Sequence, residues 1–346
     1  VIHYITSDPE DEVFKLESEQ FKPYYIGENR LIVLMMKLES DICVMTTPDL
    51  GNFQLKRSYV KKDIEYIYVP HDVNSANLTF HKNALDSFDT IFTSGPKNKA
   101  ELAEREEKFS LPAKNLVEWG SSVIDNMAAA YKQLVEEDSP QQKSKAGAQR
   151  IILIAPSWQK DNILDSCIEQ LLDGFKDEAY KIIVRPHPQY VRHFEGKIDA
   201  LIRKYSKYGI EIQKDFSSNR TVYTADILIT DWSSIAYEYA FSTLKPVLFI
   251  NTPMKVVNPD YGELDTVPVD IELRDKVGIS LEPDAELFRT APKAACELLS
   301  DRRFSAEAMA ELRSRYLYNF GKSGRVGAKY IIERLVEISD NKQENM

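Results

Sequence analysis

Apolar and polar positions run along this chain in two rhythms. Short runs rich in β-branched and aromatic residues recur at 1–5, 42–46, 65–69, 90–93 and 116–119, then at 150–155, 180–185, 209–213, 226–229 and 246–250. The run at 31–36 reads either as a strand or as a helix entry. Between these runs lie stretches whose apolar residues return every three or four positions, at 81–87, 96–107, 122–136, 163–174, 191–206, 234–242, 285–299 and 305–316. Strands alternating with helices predict βαβ units and parallel sheets. The rhythm breaks once, from Glu136 to Arg150, around Asp138-Ser139-Pro140-Gln141-Gln142-Lys143-Ser144-Lys145. That stretch is polar, poor in strand formers and follows a helix, as an interdomain linker does. The expected fold is therefore α/β, with two facing Rossmann-like domains over 1–137 and 150–320, parallel sheets and an interdomain cleft. A last helix and tail over 321–346 would pack back across the domains, with 341–346 frayed. Val1-Ile2-His3-Tyr4-Ile5 reads as a strand already under way, so the first domain is expected to lack its native start.

Composition adds limits to this picture. A chain of 346 residues, 43% hydrophobic and 28% charged, has the ordinary balance of a two-domain globular protein. Its net charge of −10 argues against a broad nucleic-acid footprint. Cys43, Cys167 and Cys296 are far apart and form no CxxC pair, so they read as small buried hydrophobes in a reduced compartment. No run approaches the ~18 apolar residues of a membrane span, and no signal peptide is visible.

The candidate chemistry sits where strands end. Ile227-Leu228-Ile229 leads into Thr230-Asp231-Trp232-Ser233-Ser234 and then a helical pattern, a strand–turn–helix joint. Asp231, Ser233 and Ser234 suit helix capping, and the same joint presents free N–H groups and a positive dipole end to an anion. Lys181-Ile182-Ile183-Val184 likewise ends in Arg185-Pro186-His187-Pro188, where Arg and His donors suit phosphate, although an ordinary loop with an exposed Arg fits as well. Val69-Pro70-His71-Asp72 closes a third strand, at the edge where open α/β sheets bind ligands. His71 there can take a proton from an attacking hydroxyl, or can merely be satisfied by its own turn through Asp72 or Asn74. His3 and His81 have no such setting, and His193 reads as a helix-surface residue. No GxSxG, GxGxxG or GxxxxGK[ST] pattern occurs at a strand–helix joint, and no His/Cys/carboxylate group has metal-ligand spacing. No cofactor and no metal are expected.

Together these pieces resemble the CDP-glycerol glycerophosphotransferase family, the teichoic-acid primases and polymerases of GT-B fold, from about residue 60 to 250. The family's Trp-His-Gly strand exit is matched by Val69-Pro70-His71-Asp72, and its FDxIFxxGP stretch by Phe88-Asp89-Thr90-Ile91-Phe92-Thr93-Ser94-Gly95-Pro96. Its APTW element corresponds to Ala155-Pro156-Ser157-Trp158, and its KPHP-like element to Arg185-Pro186-His187-Pro188. Its SDxLITDYSS element stands as Ala225-Asp226-Ile227-Leu228-Ile229-Thr230-Asp231-Trp232-Ser233-Ser234, followed by Lys245-Pro246-Val247-Leu248-Phe249. The resemblance implies an acceptor-side first domain and a nucleotide-donor second domain. It makes His71, with Asp72, the catalytic pair, and Arg185, His187, Asp231, Ser233 and Ser234 the donor diphosphate and nucleotide site. The reaction implied is attack of an acceptor hydroxyl on the β-phosphate of CDP-glycerol, or a related polyol donor, with release of CMP. The acceptor implied is a cell-envelope polymer or lipid-linked glycan, which sets the protein in the cytoplasm at the inner membrane face, with room for peripheral membrane contact.

Two positions depart from the family pattern. Asp72 stands where the family has Gly after its histidine. The family's Arg-Gly-Phe-Tyr segment is not recognisable after the last strand, where this chain has Asn258-Pro259-Asp260-Tyr261-Gly262-Glu263-Leu264 and then Arg274-Asp275. Two other readings therefore stand beside the first: a GT-B glycosyltransferase using a nucleotide sugar, and a non-catalytic nucleotide-binding module.

Overall fold

The computed structural model describes residues 1–27, 30–142, 149–176 and 178–344. Along the chain come β1 (Ile2–Thr6), β2 (Phe21–Tyr25), α1 (Leu31–Met36), β3 (Ile42–Met45), β4 (Glu65–Tyr68), α2 (Ala76–Thr79), β5 (Thr90–Thr93) and α3 (Pro96–Lys108). Then follow β6 (Asn115–Glu118), α4 (Ser122–Gln142), β7 (Arg150–Ile154), α5 (Ile163–Ser166), α6 (Ile168–Phe175), β8 (Tyr180–Val184), α7 (Pro188–Tyr205) and β9 (Glu211–Ile212). The last part runs α8 (Arg220–Thr224), β10 (Ile227–Thr230), α9 (Ile235–Thr243), β11 (Val247–Ile250), α10 (Val269–Glu272), α11 (Arg274–Val277), β12 (Gly278–Leu281), α12 (Leu287–Leu298), α13 (Ala306–Tyr316) and α14 (Ser323–Glu344).

The chain divides into two compact units, Val1–Val69 with Asn83–Ile91 and Ile332–Met346, and Pro70–Lys82 with Phe92–Ile331. In the first unit β1 and β2 pair in parallel, Ile2 opposite Phe21, and β3 and β4 pair in parallel, Ile42 opposite Glu65. The start of β5 pairs in parallel with β4, Ile67 opposite Thr90 and Tyr68 opposite Ile91. Asp89, from the FDxIFxxGP stretch, serves this unit's frame. Its Oδ2 accepts the Tyr66 N–H at 2.7 Å and its Oδ1 accepts from the Arg57 guanidinium at 2.8 Å.

The second unit carries a six-stranded sheet in the order β12-β11-β10-β7-β8-β9. The strand pairings across it are parallel, with Ile227 opposite Ile152, Leu228 opposite Val247 and Arg150 opposite Tyr180. Ile152 to Ile154, Ile227 to Ile229 and Val247 to Ile250 are wholly buried, the mark of a sheet covered by helices on both faces. From β7 the chain steps outward through β8 and β9, then returns to the other side of β7 for β10, β11 and β12. The order reverses between β7 and β10, and ligands of doubly wound sheets bind outside the carboxyl ends of the strands at that reversal. Gly278 opens β12 because no side chain fits there: a Cβ would stand 1.7 Å from the Val247 carbonyl oxygen.

Several expectations need correction. The run at 31–36 is helix α1, and 81–87 forms turns rather than a helix, with Asp86 N–H bonded back to the Asn83 carbonyl. Asn, Asp and Ser in that stretch offer the backbone local alternatives to a helix. Strands β2 and β12 were not expected; Pro23 weakens the strand signal of the first, and the second is only Gly-Ile-Ser-Leu. The stretch read as a linker is helical as far as Gln142, and its residues 143–148 lie outside the described residues. The tail is helical to Glu344, and Lys342 pairs with Asp41 at 2.6 Å. Of the cysteines only Cys167 is buried; Cys43 is half-buried and Cys296 exposed.

Candidate functional site

The strand–turn–helix joint after β10 holds its shape through Asp231. This residue is wholly buried, and its carboxylate accepts the N–H groups of Ser157 at 2.8 Å, Trp232 at 2.8 Å and Ile163 at 3.1 Å. Asp231 thus ties the end of β10 to the loop after β7 and to the start of α5, across the reversal of strand order. Thr230 Oγ1 adds a bond of 2.7 Å to the Ala155 carbonyl. On the other side, the buried Arg274 donates to the Asp231 carbonyl at 2.8 Å and to Asn251 Oδ1 at 2.9 Å, with its guanidinium 3.9 Å from the Trp232 ring centre. The side chain of Asp231 therefore faces protein backbone, not the crevice.

This arrangement frees the two serines from capping. Ser234 is the N-cap of α9 but makes no side-chain cap bond. The first backbone bonds of the turn are Ala236 N–H to the Ser233 carbonyl and Tyr237 N–H to the Ser234 carbonyl. Among the described residues nothing takes up the N–H groups of Ser233, Ser234 and Ile235. Three orphan donors at the positive end of a helix form an anion site.

Two strands away, His187 is the N-cap of α7, and Pro188 follows at the first helical position, where its missing N–H costs nothing. His187 Nδ1 accepts the Gln189 N–H at 3.1 Å, so in the neutral imidazole the proton sits on Nε2. Burial, and the Lys255 ammonium nearby, hold the imidazole below its ordinary pKa and favour that neutral form. The ring lies against Trp158, with centroids 5.9 Å apart. Arg185 behaves differently. Its guanidinium donates to the Ser218 carbonyl at 2.9 Å, Asn219 Oδ1 at 3.0 Å, and Gln213 Oε1 and Thr221 Oγ1 at 3.3 Å. It braces the segment 213–221.

His71 and Asp72 open the segment 70–82, which is pinned within the second unit. Ser75 N–H bonds Asp270 Oδ2 at 2.6 Å, Asn77 N–H bonds Glu101 Oε1 at 2.9 Å, and Asn258 Nδ2 bonds the Asn77 carbonyl at 2.9 Å. Val257 N–H closes on the Leu78 carbonyl at 3.0 Å. The His71 side chain is 59% exposed, and its Nε2 stands 3.7 Å from Oδ2 of Asp72, whose side chain is only 13% exposed. Asp72 accepts from Asn74 Nδ2 at 2.8 Å, and burial pushes its carboxyl above the usual range.

One group that belongs here was not singled out in the sequence. Glu238, one helical turn beyond Ser234 on α9, has its carboxyl pushed up to about 7 by burial and by the charge of Asp72, while a bond with the Ser234 side chain opposes the rise. The four-residue spacing from Ser234 was a readable signal. Lys255, in the loop after β11, acts electrostatically on both Asp72 and His187; an isolated lysine in an aperiodic loop gives no signal at all. Of the residues read from the sequence, Asp72 acts by its charge on Glu238, which bonds Ser234, and Lys255 acts by its charge on both Asp72 and His187. Asp231 and Arg185 hold the surrounding backbone. Among the described residues no group of three or more His, Cys, Asp or Glu could hold a metal ion.

The fold is that of a GT-B-class α/β protein. Wall teichoic acid polymerase TagF superposes with a TM-score of 0.60 at 15% identity, covering 97% of this chain and 82% of that one. The Methanocaldococcus jannaschii UDP-GlcNAc 2-epimerase also superposes at 0.60, with 13% identity over 93% of this chain and 88% of the other. A model of the CDP-Glycerol:Poly(glycerophosphate) glycerophosphotransferase family matches residues 71–256, more than half of the sequence, and the chain belongs to that family. In Bacillus subtilis (strain 168), the teichoic acid glycerol-phosphate primase is 26% identical over 199 residues, 55% of this chain and 48% of that protein. The minor teichoic acid biosynthesis protein GgaB of the same organism is 26% identical over 209 residues, 50% of this chain and 22% of GgaB. The chain therefore spans less than half the length of either relative.

Proposed function

We propose that this protein transfers glycerol phosphate, or a related polyol phosphate, from a CDP-activated donor to a hydroxyl of a cell-envelope polymer or lipid-linked glycan. The observation that carries the proposal is the gathering of His71, His187 and the orphan N–H groups of Ser233, Ser234 and Ile235 in one unit, within the segment that matches the family. The orphan donors and the Nε2–H of His187 suit the donor diphosphate. Asp231 and Arg185 act one step back, by holding the loops that carry these donors. His71 accepts the proton of the acceptor hydroxyl as its oxygen attacks the β-phosphorus. The bond from that phosphorus to the bridging oxygen breaks, CMP leaves with the electron pair, and the imidazolium is steadied by Asp72 at 3.7 Å. Transfer of this kind needs positioning and charge stabilisation more than covalent help.

The polymer made is a teichoic acid or a capsule polysaccharide, and a lipid-linked acceptor puts the reaction at the cytoplasmic face of the membrane. Contact there would be peripheral; among the described residues no helix is long and apolar enough to cross a membrane. Calorimetric titration with CDP-glycerol, CDP-ribitol, CMP, UDP-GlcNAc and UDP tests the reading. Cytidine ligands should bind selectively, and His187→Ala should weaken them; a preference for uridine ligands would overturn the assignment in favour of a nucleotide-sugar transferase.

A further inference from the structure

A diphosphate donor brings two negative charges into a site that already holds the carboxyls of Asp72 and Glu238. The cation suggested by sequence, Arg185, is bound to Ser218, Asn219, Gln213 and Thr221. Arg274 is buried against Asp231 and Asn251, and Lys97 is paired with Glu272 at 2.7 Å. Lys255 is different. Among the described residues it makes no hydrogen bond or ion pair, yet its charge is felt by both Asp72 and His187.

The loop that carries it explains this placement. At one end, the Pro253 carbonyl accepts from Gln159 Nε2 at 2.8 Å, beside Trp158, and the Thr252 carbonyl accepts from Trp232 Nε1 at 2.8 Å. At the other end, Val257 N–H bonds Leu78 and Asn258 bonds Asn77, on the segment that begins with His71. Lys255 thus sits on a short stretch of backbone anchored at one end beside Trp158, which lies against His187, and at the other on the segment that begins with His71. The same surroundings leave Ser157 Oγ, Gln159 Oε1 and Thr252 Oγ1 buried without a partner among the described residues. Buried polar groups are ordinarily satisfied, so these three atoms suit a polar ligand.

We propose that Lys255 is a further catalytic residue that grips the β-phosphate of the donor, the phosphoryl group transferred, between His187 and His71. The assignment rests on the phosphotransferase reading above. As the acceptor oxygen bonds to the β-phosphorus and the bridging bond to CMP breaks, the ammonium offsets charge on the non-bridging oxygens while the hydroxyl proton passes to His71. Lys255 takes no proton and forms no covalent bond.

Titration of wild type, Lys255→Ala and Lys255→Arg with CDP-glycerol, CDP and CMP tests the assignment, with thermal melting as a check on folding. Lys255→Ala should weaken CDP-glycerol and CDP about tenfold or more, the scale of one charge-assisted hydrogen bond. CMP, which lacks the β-phosphate, should bind all three proteins alike, and Lys255→Arg should recover most of the loss. Equal weakening of CMP and CDP, or no weakening of either, overturns the assignment and leaves the phosphotransferase reading intact. Wild type that binds none of the three ligands overturns both.

Discussion

Replacing Glu101 with Gln should make the protein more stable at neutral pH, although it removes a charged group from a hydrogen-bonded position. Glu101 lies on α3, is 3% exposed, and receives the Asn77 N–H and the Ser75 hydroxyl. Burial is the largest influence on its carboxyl and raises it from 4.5 to about 7. In the unfolded chain the group loses its proton near 4.5, whereas the folded chain keeps it until about 7. Stability is therefore highest below the lower value and falls as pH rises through this window. At about 1.4 kcal/mol per pH unit of difference, the penalty above the upper value approaches about 3 kcal/mol. Gln retains an acceptor for Asn77 and a donor toward Ser75, and cannot ionise. The substitution should also ease Asp270, whose carboxyl is pushed up to about 7 by burial and by the charges of Asp72 and Glu101. Urea denaturation followed by tryptophan fluorescence reports on the right region, because Trp119, Trp158 and Trp232 all lie in the second unit. The variant should match wild type near pH 4 and exceed it by about 3 kcal/mol near pH 8, with an unchanged denaturant slope. A difference that stays flat across that range would refute the claim that Glu101 is a desolvated acid.

Two further substitutions test the frame of the site. Gly278→Ala forces a Cβ to within 1.7 Å of the Val247 carbonyl oxygen, so β12 must shift, at a cost of about 1–3 kcal/mol or more in urea denaturation. Asp231→Ala leaves the N–H groups of Ser157, Ile163 and Trp232 without their acceptor. It should lower stability by about 3 kcal/mol or more and weaken donor binding as well, since the loops after β7 and β10 lose their tie.

The sheet of the second unit was legible because its strands are continuous apolar runs, such as Ile227-Leu228-Ile229 and Val247-Leu248-Phe249-Ile250, each followed by turn residues. The strand-end motifs were legible for the same reason, which is why His71, His187 and the serines could be named before the fold was known. What the sequence hid is the direction in which side chains point. Asp231 and the serines share one turn, yet Asp231 bonds three backbone groups inside the protein while, among the described residues, the serines leave their N–H groups open. Arg185 and His187 are two residues apart, yet one braces a loop and the other caps a helix through Nδ1. Such choices depend on partners far along the chain, Gln213 to Thr221 for Arg185 and Ser157 and Ile163 for Asp231. The same holds for the segment after His71. Its anchors, Asp270, Glu101 and Asn258, come from three separate regions that no local pattern joins.

The most direct test of the central claim is to incubate the protein with CDP-glycerol labelled in the glycerol phosphate and a lipid-linked or polymeric glycan acceptor, and to measure CMP release against label incorporated. The account predicts CMP and incorporated glycerol phosphate in equal amounts. It also predicts that His71→Ala slows the reaction about 10²–10⁴-fold while donor binding survives, as expected for loss of a general base. CMP release without incorporation, or a His71→Ala variant as active as wild type, would contradict it.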